Sequence, residues 1–489
     1  MITITRSTAR HVRAVFRKAL SVAARGRIAV VLIEAGANGL VFKTKYNDVA
    51  VEYRMPGQYP EEAFAFDMDL LQDCEGAKHD LVRIQQGGKG MIEAQWQHGA
   101  IPQSKRYDAR VPDDVLKGFP VSPAEMLENP PQLLTALRDA SETAEPNPLR
   151  YATNMIRLCS EAGSVGATDG RQLLVQRGFA LPCKCELLFP SNKVFGAKEL
   201  AQTETVYIGR TEDCVSLAVG DWTFHFTIDK VGRFPKLEDH IQTAGVTKAT
   251  LSLSETDAAF LAQALDRLPC DDEIHLPVTL DINGQVIVRA KAAEQARVTE
   301  LVLPGSKCSG TAVAINTNRK YLARALRIGF REFLVFAKDR PMQCQDEQRS
   351  YVWAVLDPEG VIKAGKDPIR IDSPSQEAVK TPQPKQQRKE AMPRRKGSDY
   401  AIVPANGTTN GAENGNANGY TNGAANGTTN AEHAGEVSLI EQAEAVRTSL
   451  KESTDKVSDL ITSLKRHRKQ SRLVQSTLSS LKQLQSLDA

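Results

Sequence analysis

The chain has 489 residues, enough for roughly two to four domains of about 150 residues each, and its 41% apolar and 25% charged residues make a globular balance. Lysine plus arginine number 62 against 59 acidic residues, which excludes a histone-like polycation but not local basic surfaces. The longest purely apolar run, Ile28–Ile33, is far shorter than the ~20 residues of a membrane-spanning helix, so no membrane partner is expected.

In chain order, Thr8–Ala24 predicts a helix with an apolar side of Val12, Phe16, Ala19, Leu20 and Ala23. Arg10, Arg13 and Arg17 form an opposite basic stripe. This acid-free, arginine-rich start also has the composition of an organellar transit peptide, but the apolar run Ile28–Ile33 follows without a spacer, so a structural helix is expected. VVLIEA, GLVFKTKY and VAVEYRM read as strands, with turns at Gly36–Gly39 and Asn47–Asp48. Further helices are predicted over Glu61–Cys74, which is acidic, and over Ser122–Glu142, interrupted by Pro130-Pro131. A short one follows at Lys193–Ala201. In DWTFHFTID, Trp222, Phe224 and Phe226 share one strand face, and Thr223, His225 and Thr227 the other. The last two helices are Glu255–Leu268, also acid-rich, and Asn318–Gly329, which carries Lys320, Arg324 and Arg327 along one face. Between them LDINGQVIVRA reads as a hairpin with a type I′ turn at Asn283-Gly284. Six helices, each followed by several strands, imply one unit used six times over about 360 residues.

Composition changes after about residue 358. Residues 359–436 begin basic and proline-containing, then become an Asn/Gly/Thr tract that cannot bury enough surface to offset its ordering entropy; a disordered linker is expected. From Val437 a heptad runs to residue 487, with ten of fourteen a and d positions apolar. That pattern predicts a coiled-coil helix, weakened at Ser453, His467 and Ser471. Its basic block Lys465–Arg472 reads either as a solvated face or as a partner- or phosphate-contacting segment.

No catalytic constellation emerges. Gln86–Gly90, QGGKG, lacks the spacing of a phosphate loop and reads as a hairpin turn. The eight cysteines, Cys74, Cys159, Cys183, Cys185, Cys214, Cys270, Cys308 and Cys344, contain no C-x-x-C pair, so reduced thiols are expected rather than a zinc site. His225 reads as a packed or surface residue, and Asp271-Asp272-Glu273 lacks an EF-hand pattern. The expectation is a protein that is not an enzyme and needs no metal or cofactor.

One stretch is more specific. Residues 147–176, NPLRYATNMIRLCSEAGSVGATDGRQLLVQ, end in ATDGRQLL, and VGRFP follows at Val231–Pro235. Together they resemble the bacterial DNA sliding clamp, the beta subunit of the replicative DNA polymerase III. In that family an A-T-D-G-x-R-L turn in the middle domain precedes a D-G-x-F-P segment. AINTNRKYLARAL (Ala314–Leu326) is similar to the third-domain pattern F-N-x-x-Y-L, and YVWAVLDPEG (Tyr351–Gly360) stands where the family closes on Y-V-x-x-P-M-R. The resemblance covers about residues 1–358 and is sharpest over 133–235. The chain departs at Arg171-Gln172-Leu173, where the family has His-Arg-Leu, and at Val355-Leu356-Asp357 in place of Pro-Met-Arg; it also continues for some 130 residues.

The resemblance implies an α+β DNA-clamp fold of three similar domains, 1–116, 117–243 and 244–358, each of two helix-plus-strands units. Two chains would close a ring whose twelve helices line a hole. It implies a cytoplasmic, nucleoid-associated processivity factor that encircles double-stranded DNA without reading sequence. Its partners would be a second copy, DNA polymerase and clamp-loader subunits. The DNA-facing positions carried over are Arg10, Arg13, Arg17, Tyr151, Lys193, Lys320, Arg324 and Arg327. The partner-peptide groove carried over is Thr168, Gly170, Arg171, Leu173, Pro235, Val352, Ala354, Val355 and Leu356. The alternative is a clamp-fold scaffold that recruits partners through its linker and coiled coil, without a replicative role. The acid content of two helices favours that alternative, because an acidic lumen repels phosphate.

Overall fold

A computed structural model describes residues 1–21, 29–88, 90–148, 151–182 and 186–374. Ala23, Lys89, Cys183, Cys185, the Asn/Gly-rich tract and the heptad helix lie outside the described residues. So do all other residues from 375 to 489.

One unit, a strand, a helix or helical turns and three strands, recurs six times along the chain. The first is Ile2–Thr5, helix α1 (Arg6–Ala19), then Val30–Gly36, Gly39–Tyr46 and Val49–Met55. The second is Glu62–Asp67, α2 (Asp69–Cys74), then Leu81–Gln86, Met91–His98 and Ile101–Asp108. A short helix, α3 (Pro112–Leu116), leads to the third: Met126–Asn129, α4 (Gln132–Thr143), then Met155–Cys159, Ser164–Thr168 and Gln172–Gln176. In the fourth, Glu186–Pro190 is followed by two 3-10 turns, Lys193–Gly196 and Lys198–Leu200, then Val206–Arg210, Cys214–Val219 and Trp222–Thr227. The fifth is Ala249–Ser252, α5 (Glu255–Ala264), then Pro277–Asn283, Gln285–Ala290 and Thr299–Val302. The sixth is Val313–Asn318, α6 (Arg319–Arg327), then Glu332–Val335, Met342–Gln345 and Arg349–Trp353.

The leading strands change hands. Ile2–Thr5 pairs with the second unit (Ile2↔Ile84), while Glu62–Asp67 pairs with the first (Leu32↔Ala65). Units three and four exchange in the same way (Ile208↔Leu127, Ile156↔Phe189), and so do five and six (Leu251↔Phe333, Leu280↔Ile315). Neighbouring units are thereby tied by antiparallel ladders that local sequence cannot reveal. Two seams then join final strands three units apart. Val49–Met55 pairs with Trp222–Thr227, and Gln172–Gln176 with Arg349–Trp353.

The helices form because their apolar positions match the helical period. In α1, Ala9, Val12, Phe16 and Ala19 are buried, and the Thr5 hydroxyl caps the first turn by accepting from the Thr8 N–H at 3.0 Å. α1 is therefore an integral core helix. It packs on α2, and Phe16 meets Trp222 edge-on at 5.9 Å. Asn318 caps α6 and Ser254 caps α5 in the same manner.

Several expectations need correction. Glu61–Cys74 is a strand and then a helix of six residues, because Phe64, Ala65 and Phe66 serve a sheet. Ser122–Glu142 likewise contains the strand Met126–Asn129, and Pro130-Pro131 separates it from α4 rather than kinking one helix. Lys193–Ala201 is two 3-10 turns. The 283–285 hairpin has positive φ at Gly284 (+72°) but not at Asn283, so the turn is not type I′. Residues 359–374 are not disordered: a 3-10 turn spans Pro358–Gly360, and Ile369–Asp372 is a strand paired in parallel with Thr299–Val302.

Candidate partner groove and helix faces

The ATDG turn is rigid because its own polar groups saturate it. The Asp169 carboxylate accepts from the N–H groups of Arg171 (2.7 Å) and Gln172 (2.8 Å) and from Gln172 Nε2 (2.9 Å). Thr168 Oγ1 donates to the Gln172 carbonyl at 2.6 Å and accepts from the Gly170 N–H at 3.0 Å. Gly170 sits at φ +85°, a conformation that favours glycine. This turn sets the register in which Leu173 stands directly opposite Val352, and the Ala354 N–H donates to the Arg171 carbonyl at 2.8 Å.

On the outer face of this second seam, Leu173, Val175 and Val352 form a small apolar patch separate from the main cores. The segment after VGRFP lies over it. Leu237 is 1% exposed and completes the patch, with Phe234 and Ile241 at its flanks. Gly166 makes room, since a Cβ there would stand 2.7 Å from Leu237 Cδ1. The segment is latched by the buried Arg157 guanidinium, which donates to Glu238 and, at 3.2 Å, to Glu186. Arg157 holds the Glu238 carboxyl below its ordinary range. Gln343 fixes the segment's end, accepting from the Gln242 N–H at 2.9 Å and donating to its carbonyl at 3.0 Å.

The structure brings only part of the predicted groove together. Leu173 and Val352 share the patch, and Pro235 lies half-buried beside it, between Phe234 and Leu237. Gly170 and Arg171 form the exposed turn tip, and the Thr168 side chain serves the turn. Ala354 is exposed, Val355 packs on the core of units five and six, and the Leu356 N–H donates to the Asn316 carbonyl. Arg157, Gly166 and Leu237 escaped the sequence reading. The available signal was Leu237 itself, one apolar residue in a charged segment ten residues past the strand end.

The helix-face cations divide into two groups. Arg13 spans both Glu75 oxygens at 2.9 Å and Gln72 at 2.7 Å. Arg324 reaches from α6 to α4, donating to Glu142 (3.1 Å), the Asp139 carbonyl (2.7 Å) and Thr143 Oγ1 (3.0 Å); Arg327 pairs with Asp266. Arg10 and Lys320 are exposed and Arg17 half-buried, with no ion pair among the described residues. Tyr151 is 44% exposed. Lys193 borders a cavity of about 720 Å³ that also presents Glu142, Glu145 and Asp169.

Other titratable groups have local roles. His225 is buried, with Nδ1 2.8 Å from Ser216 Oγ, and burial lowers its pKa to about 4. Asp272 accepts from the Ile274 and His275 N–H groups and from the His275 ring, which lowers its pKa to about 2. The six described cysteines are free thiols. No described helix is long and apolar enough to cross a membrane.

Neither protein-family models nor curated proteins match this sequence. Solved structures do. The beta subunit of DNA polymerase from Streptococcus pyogenes superposes with a TM-score of 0.61 at 14% identity, over 72% of this chain and 99% of that one. The DNA polymerase III subunit beta of Pseudomonas aeruginosa gives 0.58 at 17%, over 73% and 99%, and that of Thermotoga maritima 0.58 at 15%, over 73% and 99%. The six exchanged units thus account for essentially the whole length of these proteins, and the chain has the fold of the bacterial DNA polymerase sliding clamps.

Proposed function

We propose that this chain is a sliding-clamp-like processivity factor, two copies of which form a ring around double-stranded DNA. Its six units group by strand exchange into three domains, with boundaries near residues 116 and 243. The observation that carries this reading is the match of fold over 99% of the length of solved clamps, together with the sixfold unit that such a ring requires. Duplex would be held by closure rather than by affinity, with Arg10, Arg17 and Lys320 meeting phosphates through water and no base read. The outer face of the second seam, around Leu173 and Val352, would accept short apolar peptides from polymerase and clamp-loader subunits. A peptide there displaces or extends the Leu237 contact. The reading calls for no catalytic group. Loading the full chain onto circular DNA with a clamp loader tests it. Retention on circles and loss on linearisation is the expected result; retention on neither form removes the reading.

A second reading is a clamp-fold scaffold without a replicative role. It is favoured by the pairing of Arg13, Arg324 and Arg327 with acids, which leaves fewer cations for phosphate. It predicts no retention on either DNA form, and partner capture through residues beyond 374.

A further inference from the structure

The pairing of final strands follows one rule. Unit one joins unit four and unit three joins unit six, each antiparallel and three units apart. Units two and five remain. Their final strands, Ile101–Asp108 and Thr299–Val302, are not paired with each other. Under the same rule, unit five of one copy meets unit two of the next. Ile101–Asp108 is an open edge in this chain: it pairs with Met91–His98 and ends its sheet. Thr299–Val302 is not open. Ile369–Asp372 lies along it in parallel register, with Thr299 opposite Ile369 and Val302 opposite Asp372.

We propose that residues Ile362–Ser373 are an autoinhibitory cap on the edge that joins one copy of this chain to a second. The inference rests on the ring reading above and adds the control of its closure. The cap occupies the hydrogen-bonding row that a second copy's Ile101–Asp108 would use, since an edge strand can pair with one neighbour at a time on its free side. Besides the four-residue parallel pairing, its attachments are a handful of polar bonds, beginning with the Ile362 N–H, which donates to Thr279 Oγ1 at 2.8 Å. The Ile369 N–H donates to the Val298 carbonyl at 2.8 Å, and the Ser373 N–H to the Val302 carbonyl at 3.0 Å. Arg297 donates to the Asp367 carboxylate and carbonyl, each at 2.9 Å, in an exposed pair. At the far end the Ser373 hydroxyl donates to buried Asp257. Apolar burial contributes little, because Ile369 and Ile371 are each 42% exposed. The preceding loop borders a cavity of about 570 Å³ lined by Arg297, Val298 and Ile362, and meets Val298 at Gly365 and Arg297 through Asp367 and Pro368. A four-residue strand held by backbone bonds, one surface ion pair and the Ser373–Asp257 hydrogen bond is displaceable by an eight-residue strand.

The test measures self-association of the full chain by sedimentation velocity, with amide hydrogen exchange read in the same samples. Two release variants are compared with the parent. Ile369→Pro removes the bond to Val298, and Asp367→Ala, a milder change at an exposed site, removes the Arg297 pair. The expected result is tenfold or more tighter dimerisation in Ile369→Pro, a smaller gain in Asp367→Ala, and new protection of residues 101–108 in the dimer. If the parent dimerises as tightly while residues 369–372 stay protected, the cap is refuted and the ring reading stands. If release exposes residues 299–302 and no dimer forms, the ring reading falls and the cap with it.

Discussion

The two seams use the same backbone pairing and differ in what covers them. At the first, Val49–Met55 with Trp222–Thr227, the inner face carries Tyr53 against Trp222 at 4.4 Å, continuous with the core beneath α1. Its outer face is closed: Ser216 and His225 hydrogen-bond to each other, Phe119 stands edge-on to His225, Lys43 lies over Phe119, and Val115 packs on Leu32 and Ala65. At the second, Gln172–Gln176 with Arg349–Trp353, the inner face is again core, with Tyr351 donating to Gln172 and Trp353 to Thr317. Its outer face is apolar, and among the described residues the segment around Leu237 covers it. A connecting segment crosses each outer face. The first covers polar groups satisfied among themselves at the seam and packs Val115 on Leu32 and Ala65 beside it; the second covers an apolar surface at the seam itself. Repetition of one unit therefore leaves two equivalent positions, and a few side chains decide whether each seam is polar or apolar on its outer face.

The contrast can be broken from either side. Trp222→Ala opens a cavity in the sealed seam and is expected to cost about 3–5 kcal/mol in chemical denaturation; a loss under 1 kcal/mol would mean the aromatic stack is incidental. His225 tests the same seam by pH. Its folded pKa, about 4, lies below the ordinary 6.5, so it stays neutral in the fold and its stability contribution is intact above pH 6.5. That contribution is lost as pH falls from 6.5 to 4, by up to about 3 kcal/mol. A His225→Gln variant is expected to flatten this part of the stability curve, and an unchanged slope would assign the pH dependence elsewhere. On the open seam, Leu173→Asp is expected to weaken binding of polymerase-derived peptides tenfold or more, about 1.4 kcal/mol, and Leu356→Asp less. Unchanged affinity in isothermal titration would remove the groove assignment. Smallest in global effect is Arg157→Met. Glu238 and Glu186 are about half exposed and return to water, so stability should change by under about 1 kcal/mol, while cleavage at Lys236 by trypsin accelerates.

The repeat was legible because helix and strand periods differ: Val12, Phe16 and Ala19 recur helically, while Trp222, Phe224 and Phe226 alternate. The leading strands were not. Glu62–Asp67 and Met126–Asn129 each run into a helix within three residues, so a window over both reads as one helix. Strand exchange is a long-range pairing and leaves no local mark. At the groove, the Asp169-Gly170 turn was legible in the sequence and the resemblance named Leu173 and Val352 together, while their strand pairing is seen only in the structure. The Leu237 cover did not, because it depends on the space over Gly166 and on a buried arginine 81 residues from its acid. The start of the linker was misplaced because backbone pairing to an edge strand needs little apolar pattern, and IRID offers two isoleucines in a stretch of mixed charge.

The most direct test of the docking face is photo-crosslinking. A polymerase-derived peptide carrying a photoreactive apolar residue is bound to the full chain, irradiated, and its adducts mapped by mass spectrometry. Adducts on Leu173, Val352 and the Phe234–Ile241 segment are the predicted result. Adducts concentrated on Pro112–Phe119 or on the helix faces would contradict it.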